Sequence, residues 1–126
     1  YHNIKNGLKK NRKLNLSINF YQGNIKKLKM FEDNKFDIVF SDAVLLYISN
    51  KNIKKTIEEV IRVTRKKIYF FEMNTSGKSF YRDKWIHNYT YLLNKISNIS
   101  NFKIHEVSDG REGDWYKFGK IIEIVK

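Results

Sequence analysis

Two short runs that are apolar almost without interruption, FDIVF at residues 36–40 and IYFFEM at 68–73, flank a segment that is apolar only every third or fourth residue. That arrangement leaves few folds open. A strand that is apolar on both sides of its pleat suits a sheet covered on both faces, as in parallel α/β architectures. The segment between the runs, about residues 51–65, places Ile53, Ile57, Val60, Ile61 and Thr64 on one helical stripe. Strand, amphipathic helix and strand in succession argue an α/β sheet.

The remaining residues extend the alternation. Residues 2–13 read as the end of a basic surface helix, with Ile4 and Leu8 four apart. LSINFYQGNI (16–25) reads as a strand with Leu16, Ile18 and Phe20 on one face, ended by Gly23-Asn24, and residues 26–35 as a basic loop. Ser49 or Asn50 can cap the 51–65 helix. Within that helix Glu58 stands four residues before Arg62, a favourable pair, and Arg65, Lys66 and Lys67 crowd the C-terminal end, where positive charge complements the dipole. A loop at 74–79 leads to a helix over about 82–97, with Trp85, Tyr89, Leu92, Leu93 and Ile96 on one face. KIHEV (103–107) and KIIEIV (120–125) read as strands joined by the turn-rich DGREGD (109–114), too close together for a crossover helix. The last strand is therefore expected to run antiparallel.

Composition narrows the class further. The 126 residues, 41% hydrophobic and 15% aromatic, support one domain spanning 1–126 with a real core. Without cysteine there is neither a disulfide nor a thiolate metal site. No apolar run reaches the ~18 residues of a membrane span and nothing resembles a signal peptide, so a cytoplasmic protein is expected. The charge of +12 and pI of 9.8 invite a nucleic-acid reading. Lysine far outnumbers arginine, however, and the excess of Asn, Lys and Ile with no proline is what an A/T-rich coding sequence produces without selection for a polyanion. Nucleic acid is not the expected partner, and a non-catalytic basic module that pairs with a protein or nucleic acid is the competing reading.

The polar pair Ser41-Asp42 separates the first apolar run from a second, Ala43 to Ile48. Ligands of open α/β sheets bind beyond the carboxyl ends of the strands, so a polar break there reads as a cleft floor. The alternative is a plain strand-to-helix turn in which Ser41 and Asp42 act as caps.

FDIVFSDAVLLYI followed by EEVIRVTRKKIYFFEMN resembles the class I S-adenosylmethionine-dependent methyltransferases. Phe36-Asp37-Ile38-Val39, Val44-Leu45-Leu46-Tyr47-Ile48 and Glu59-Val60-Ile61-Arg62-Val63 fill the places of three family motifs. SINFYQGN (17–24) is similar to the family's third strand, and GDWYKFGKIIEI to its antiparallel last strand. The resemblance runs from about residue 2 to the end. It implies a partial Rossmann-like sheet holding strands 3, 4, 5, 6 and 7 of the order 3-2-1-4-5-7-6. The glycine-rich loop after the first strand and the acidic residue ending the second are absent, which implies the C-terminal part of such a domain. Ser17–Tyr21 then lacks its neighbour and the 37–40 strand becomes an exposed edge, an invitation to homodimerise.

By the same resemblance, Gly23, Asn24 and Ile25 would lie at the adenine of S-adenosylmethionine, and Ser41, Asp42, Ala43 and Leu46 at its methionine part. Tyr47 would face a small-molecule methyl acceptor, with Tyr81, Trp85 and Tyr89 as an aromatic lid. Glu72, which interrupts an apolar strand at its carboxyl end, is the general-base candidate. An ordinary turn at 23–24, and core packing of Trp85 and Tyr89, are the plain alternatives. SGKS (76–79) is not a phosphate loop, because the position that must be glycine is Glu72. DGREGD lacks calcium-loop spacing, and His2, His87 and His105 are too scattered to ligate a metal and are expected in solvent.

Overall fold

The two apolar runs lie side by side as neighbouring parallel strands, which the amphipathic segment between them makes possible by crossing back over one face of the sheet. A computed structural model describes residues 2–15, 17–77, 80–107 and 113–126. In chain order its elements are α1 (His2–Lys13), β1 (Phe36–Asp42), a single 3-10 turn (Leu45–Tyr47), α2 (Asn50–Val63), β2 (Thr64–Met73), β3 (Phe80–Tyr81), β4 (Lys84–Trp85), α3 (Tyr89–Leu93), β5 (Asn101–Glu106), α4 (Asp114–Phe118) and β6 (Gly119–Val125). The main sheet has the order β1-β2-β6-β5. β1 and β2 are parallel, with Val39 opposite Ile68 and Ser41 opposite Phe70. β6 runs antiparallel to both β2 and β5, as the short connection required.

One face of this sheet carries the core. Ile68, Phe70, Ile122 and Ile124 point from β2 and β6 into a cluster with Ile53, Ile57, Val60 and Ile61 of α2. Each such side chain contributes about 1.5–3 kcal/mol on burial. Ser49 takes the N-cap position of α2 with extended backbone, and its carbonyl accepts from the amides of Asn52 and Ile53. At the other end the Lys126 ammonium donates to the carbonyls of Ile61 (2.9 Å), Arg62 (3.4 Å) and Thr64 (2.8 Å). The cation at the helix C-terminus is thus the chain's last residue and not the Arg65–Lys67 run. β2 begins at Thr64, and Arg65 and Lys66 reach sideways to Asp37. Arg62 likewise passes over Glu58 for Glu59 (2.9 Å) and Asp33 (2.7 Å), while Glu58 pairs with Lys54.

The opposite sheet face is bare along β1. Ile38 is 60% and Phe40 76% exposed, so β1 is covered on one face only, contrary to its continuous apolar character. The strand expected at 16–25 does not form. The described part has no ladder partner beyond an isolated Asn24–Lys27 bridge. Its extended backbone is tied instead by the Asn11 side chain to Ile18. A strand needs a neighbour, and at this edge none is supplied.

The helix expected over 82–97 is broken into the β3–β4 hairpin and the short α3. Arg82 turns the hairpin at a φ of 55°. Asn88 then caps α3 by accepting from the Tyr91 amide at 2.9 Å. An Asx cap fixes where a helix starts, and here it overrides the longer apolar periodicity. α4 was not foreseen; its Trp115 stacks on Phe71 at 4.9 Å. Only glycine fits at 119, because a Cβ there would come within 2.5 Å of the Trp115 carbonyl oxygen. Ser108, residues 109–112 of the DGREGD stretch, and Lys78 and Ser79 of SGKS lie outside the described residues.

Candidate functional site

β1 and β2 end together, and what happens at that end is decided by one carboxylate. Glu72 is 0% exposed. Its Oε1 accepts from the Ser41 hydroxyl at 3.0 Å and from the amides of Val44 and Leu45 at 2.9 Å each. Its Oε2 accepts from the Leu46 amide at 3.3 Å. The parallel register makes this possible, since Asp42 faces Phe71 and the Ala43 amide donates to the Phe71 carbonyl. Ala43 then turns the chain with a φ of 55°, which swings three successive amides down onto Glu72. Exposed amides at a helical N-terminus ordinarily attract an anion from outside; here an internal carboxylate occupies them. Burial pushes the Glu72 carboxyl above its ordinary pKa, and the four hydrogen bonds pull against that rise.

Above this clamp the chain presents a mixed surface. Asp42 and Tyr47 are exposed, Ala43 is half-buried, and Ser41 and Leu46 are buried. Asp42 takes part in no ion pair among the described residues.

Behind the turn stands His87, only 2% exposed. Its Nε2 lies 3.1 Å from the Leu45 carbonyl oxygen and its Nδ1 3.1 Å from the Asn50 side-chain oxygen Oδ1. The neutral ring protonated at Nε2 satisfies both contacts when Asn50 turns its amide nitrogen towards Nδ1. Burial holds the His87 pKa below the usual imidazole value, so the solvated histidine expected at this position is instead a packed, neutral brace. The apolar neighbours Trp85, Ile86 and Tyr89 were the available signal for that burial.

The expected aromatic lid loses Tyr89 to the core. Tyr89 is fully buried against Phe70, with ring centroids 6.2 Å apart. Trp85 sits in β4, half-buried, edge-on to Phe80 at 4.8 Å. Tyr81 pairs through its backbone with Lys84. The Tyr89 hydroxyl is buried without a hydrogen-bond partner among the described residues. Burial, with the Glu72 charge as a lesser cause, raises its pKa well above the ordinary phenol value. An orphaned buried hydroxyl costs about 1–3 kcal/mol. Tyr89→Phe is therefore expected to raise stability by about 1 kcal/mol in a urea melt, and a destabilised variant would show that the hydroxyl is satisfied in solution.

Gly23, Asn24 and Ile25 belong to a different part of the surface. Asn24 closes its own turn by accepting from the Lys26 amide at 3.0 Å. The loop is anchored at Leu28, whose amide donates to Glu59 and whose carbonyl accepts from Arg62, at the C-terminal half of α2. Ile25 packs on the edge of the core cluster. No hydrogen bond among the described residues links these three to Ser41–Leu46. A cleft of about 760 Å³ runs along the edge of β1 between Phe40 and Tyr21 and stops one residue short of Ser41. No group of three or more metal-ligating side chains is found among the described residues.

A family model described as a methyltransferase domain matches residues 2–120. The fold is similar to that of the PH0226 protein of Pyrococcus horikoshii OT3, with a TM-score of 0.67 and 15% identity over 97% of this chain and 66% of that one. A SAM-dependent methyltransferase of Methanosarcina mazei aligns with a TM-score of 0.61 and 19% identity over 85% of this chain and 66% of its own. Magnesium protoporphyrin IX methyltransferase of Synechocystis PCC 6803, solved with bound SAH, aligns with a TM-score of 0.55 and 15% identity over 85% of this chain and 50% of its own. The chain thus spans less than two thirds of the length of each of these structures. No curated protein sequence matches it.

Proposed function

The chain belongs to a methyltransferase-domain family, and from that premise we propose that the protein carrying it transfers a methyl group from S-adenosylmethionine to a small-molecule acceptor. The observation that supports this reading is the clamped turn at the carboxyl end of a parallel strand pair. It leaves Asp42, which has no ion-pair partner among the described residues, at the place where α/β sheets bind ligands. The residues present fit the cationic part of the cofactor. Asp42 offers charge to an ammonium, Ala43 leaves room beside it, and Leu46 backs the turn from the core. They do not offer the Val44–Leu46 amides to the cofactor's carboxylate, because Glu72 has taken them. Gly23, Asn24 and Ile25, which the resemblance would set at the adenine, are held at the C-terminal half of α2 and are not part of this group of residues.

The cofactor, when bound, supplies an already activated methyl group, so the protein's share is alignment and exclusion of water. Glu72 serves that alignment as a positioning residue. Buried and saturated with donors, it holds the turn that carries Asp42 and Tyr47 and is poorly placed to accept a substrate proton. Tyr47, exposed on the same turn, would meet the acceptor, together with Tyr81 and Trp85 of the hairpin.

Calorimetry with S-adenosylmethionine tests the reading on this chain and on one extended upstream. Binding is expected in the extended chain, and Asp42→Asn there is expected to weaken it ~10-fold, about 1.4 kcal/mol. Absence of heat from both chains would refute the methyltransferase reading, while an unchanged Asp42→Asn affinity would remove only Asp42 from the site.

A further inference from the structure

His87 is the last residue of a segment that leaves and rejoins the fold at one place. The Thr75 amide donates to the His87 carbonyl at 3.1 Å, and Asn74 and His87 form a parallel bridge. The Tyr89 amide donates to the Asn74 side chain at 2.9 Å. The segment between Thr75 and His87, which holds the β3–β4 hairpin, is thereby closed at its neck on the end of β2, and β4 packs on the 3-10 turn. From this neck the His87 ring reaches two further elements: the turn, at the Leu45 carbonyl, and the first residue of α2, at the Asn50 side chain.

The contact with Leu45 bears on the Glu72 clamp. The carbonyl of Leu45 and the amide of Leu46 belong to one peptide unit. That amide donates to Glu72 Oε2 at 3.3 Å, the longest of the four bonds the carboxylate receives. The carbonyl accepts from the Ile48 amide at 2.9 Å and lies 3.1 Å from His87 Nε2. A donor on the oxygen of a peptide unit polarises that unit and strengthens its N–H as a donor. Ring, peptide and carboxylate thus form one hydrogen-bonded chain across the turn. Both of its ends are enclosed, since His87 is 2% and Glu72 0% exposed.

We propose that His87 is a positioning residue. Its Nε2–H fixes the peptide between Leu45 and Leu46 against Glu72, so the side chain that anchors the hairpin segment also sets the turn that carries Asp42 and Tyr47. The bearing of this role on ligand binding rests on the methyltransferase reading; the hydrogen-bonded chain itself does not. Bulk alone does not account for the residue. A phenylalanine would fill the same space with no nitrogen to satisfy, whereas both ring nitrogens of His87 have partners.

The 126-residue chain, labelled with heavy nitrogen, supplies the first test. The imidazole resonances that disappear in His87→Gln belong to His87, and in the parent they are expected to show Nε2 protonated and Nδ1 bare. The reverse tautomer would overturn the proposal. Three substitutions then separate hydrogen bond from bulk. Glutamine sets its carboxamide nitrogen at the level of Nε2 and asparagine at that of Nδ1, while phenylalanine donates nothing. Amide exchange of Leu45 and Leu46 is read against that of Ile122 and Ile124, in β6 between its two neighbouring strands. His87→Phe and His87→Asn are expected to speed exchange at the turn ~5-fold more than at the reference pair, as loss of one ordinary hydrogen bond would. His87→Gln is expected to restore the parent ratio. Equal acceleration at all four amides in the phenylalanine variant, or a glutamine variant as fast as the phenylalanine one, would reduce His87 to packing and overturn the proposal.

Calorimetry with S-adenosylmethionine on the chain extended upstream supplies the second test. His87→Phe there is expected to weaken binding ~5-fold, and an unchanged affinity would overturn the positioning role. An extended parent chain that binds no S-adenosylmethionine would count against the methyltransferase reading alone, and the exchange ratios would still decide what His87 does.

Discussion

Replacing Glu72 by alanine is expected to destabilise the fold by about 3–5 kcal/mol, against a total of about 5–15 kcal/mol for a domain of this kind. The substitution strands four donors at once: the Ser41 hydroxyl and the amides of Val44, Leu45 and Leu46. A buried donor left unmade costs about 1–3 kcal/mol. Water entering the vacated space recovers part of the sum, which sets the upper limit. Glu72→Gln is expected to cost less, about 1–2 kcal/mol, because it keeps an acceptor oxygen for the three bonds at Oε1 and opposes only the longer one from Leu46.

The same residue sets a pH dependence. Its folded pKa is raised above 4.5, chiefly by burial, so the folded state takes up the proton before the unfolded chain does. Stability should therefore rise as pH falls through the raised value and level off near 4.5, where the unfolded chain also protonates. Glu72→Gln should lose that gain. Urea melts of the three proteins between about pH 4.5 and 8 measure both effects. An alanine variant within ~0.5 kcal/mol of the parent would mean that the clamp does not hold the turn.

Phe70→Ala is the second large loss, again about 3–5 kcal/mol. Phe70 is fully buried between Ser41 of β1 and Ile122 of β6 and packs on Tyr89. Four elements would have to move together to close the space it leaves, so the cavity term is paid nearly in full. Its neighbour Phe71 makes the control. It points to the other face, half-buried, and stacks on Trp115 of α4 at 4.9 Å. Phe71→Ala should cost less than half as much by the same melts. Equal losses at 70 and 71 would show that both faces of the sheet are core.

Those two phenylalanines also mark where the sequence stopped being informative. YFF at 69–71 reads as a uniformly apolar strand. Which side chain meets α2 depends on register with β1 and β6, and nothing local encodes it. Residues 82–97 show the reverse failure. Their periodicity was good enough for one long helix, but the Arg82 turn and the Asn88 cap cut it short. The hairpin then brought Trp85 against Phe80 and drove His87 and Tyr89 inward. At the site, Ser41, Asp42, Ala43, Leu46, Tyr47 and Glu72 do come together, because each follows directly from where a parallel strand ends. That Glu72 grips the turn follows only from a hydroxyl and three amides converging on it.

The β1–α2–β2 unit, the antiparallel return of β6 and the family were thus written in the chain itself, since alternating burial patterns and end signals act between residues close in sequence. The bare edge at Ile38 and Phe40, the failure of residues 17–25 to make a strand, and the conversion of Glu72 into a clamp were decided in three dimensions. Each depends on which distant segment is, or is not, within hydrogen-bonding reach, and a pattern along one strand carries no record of its neighbour.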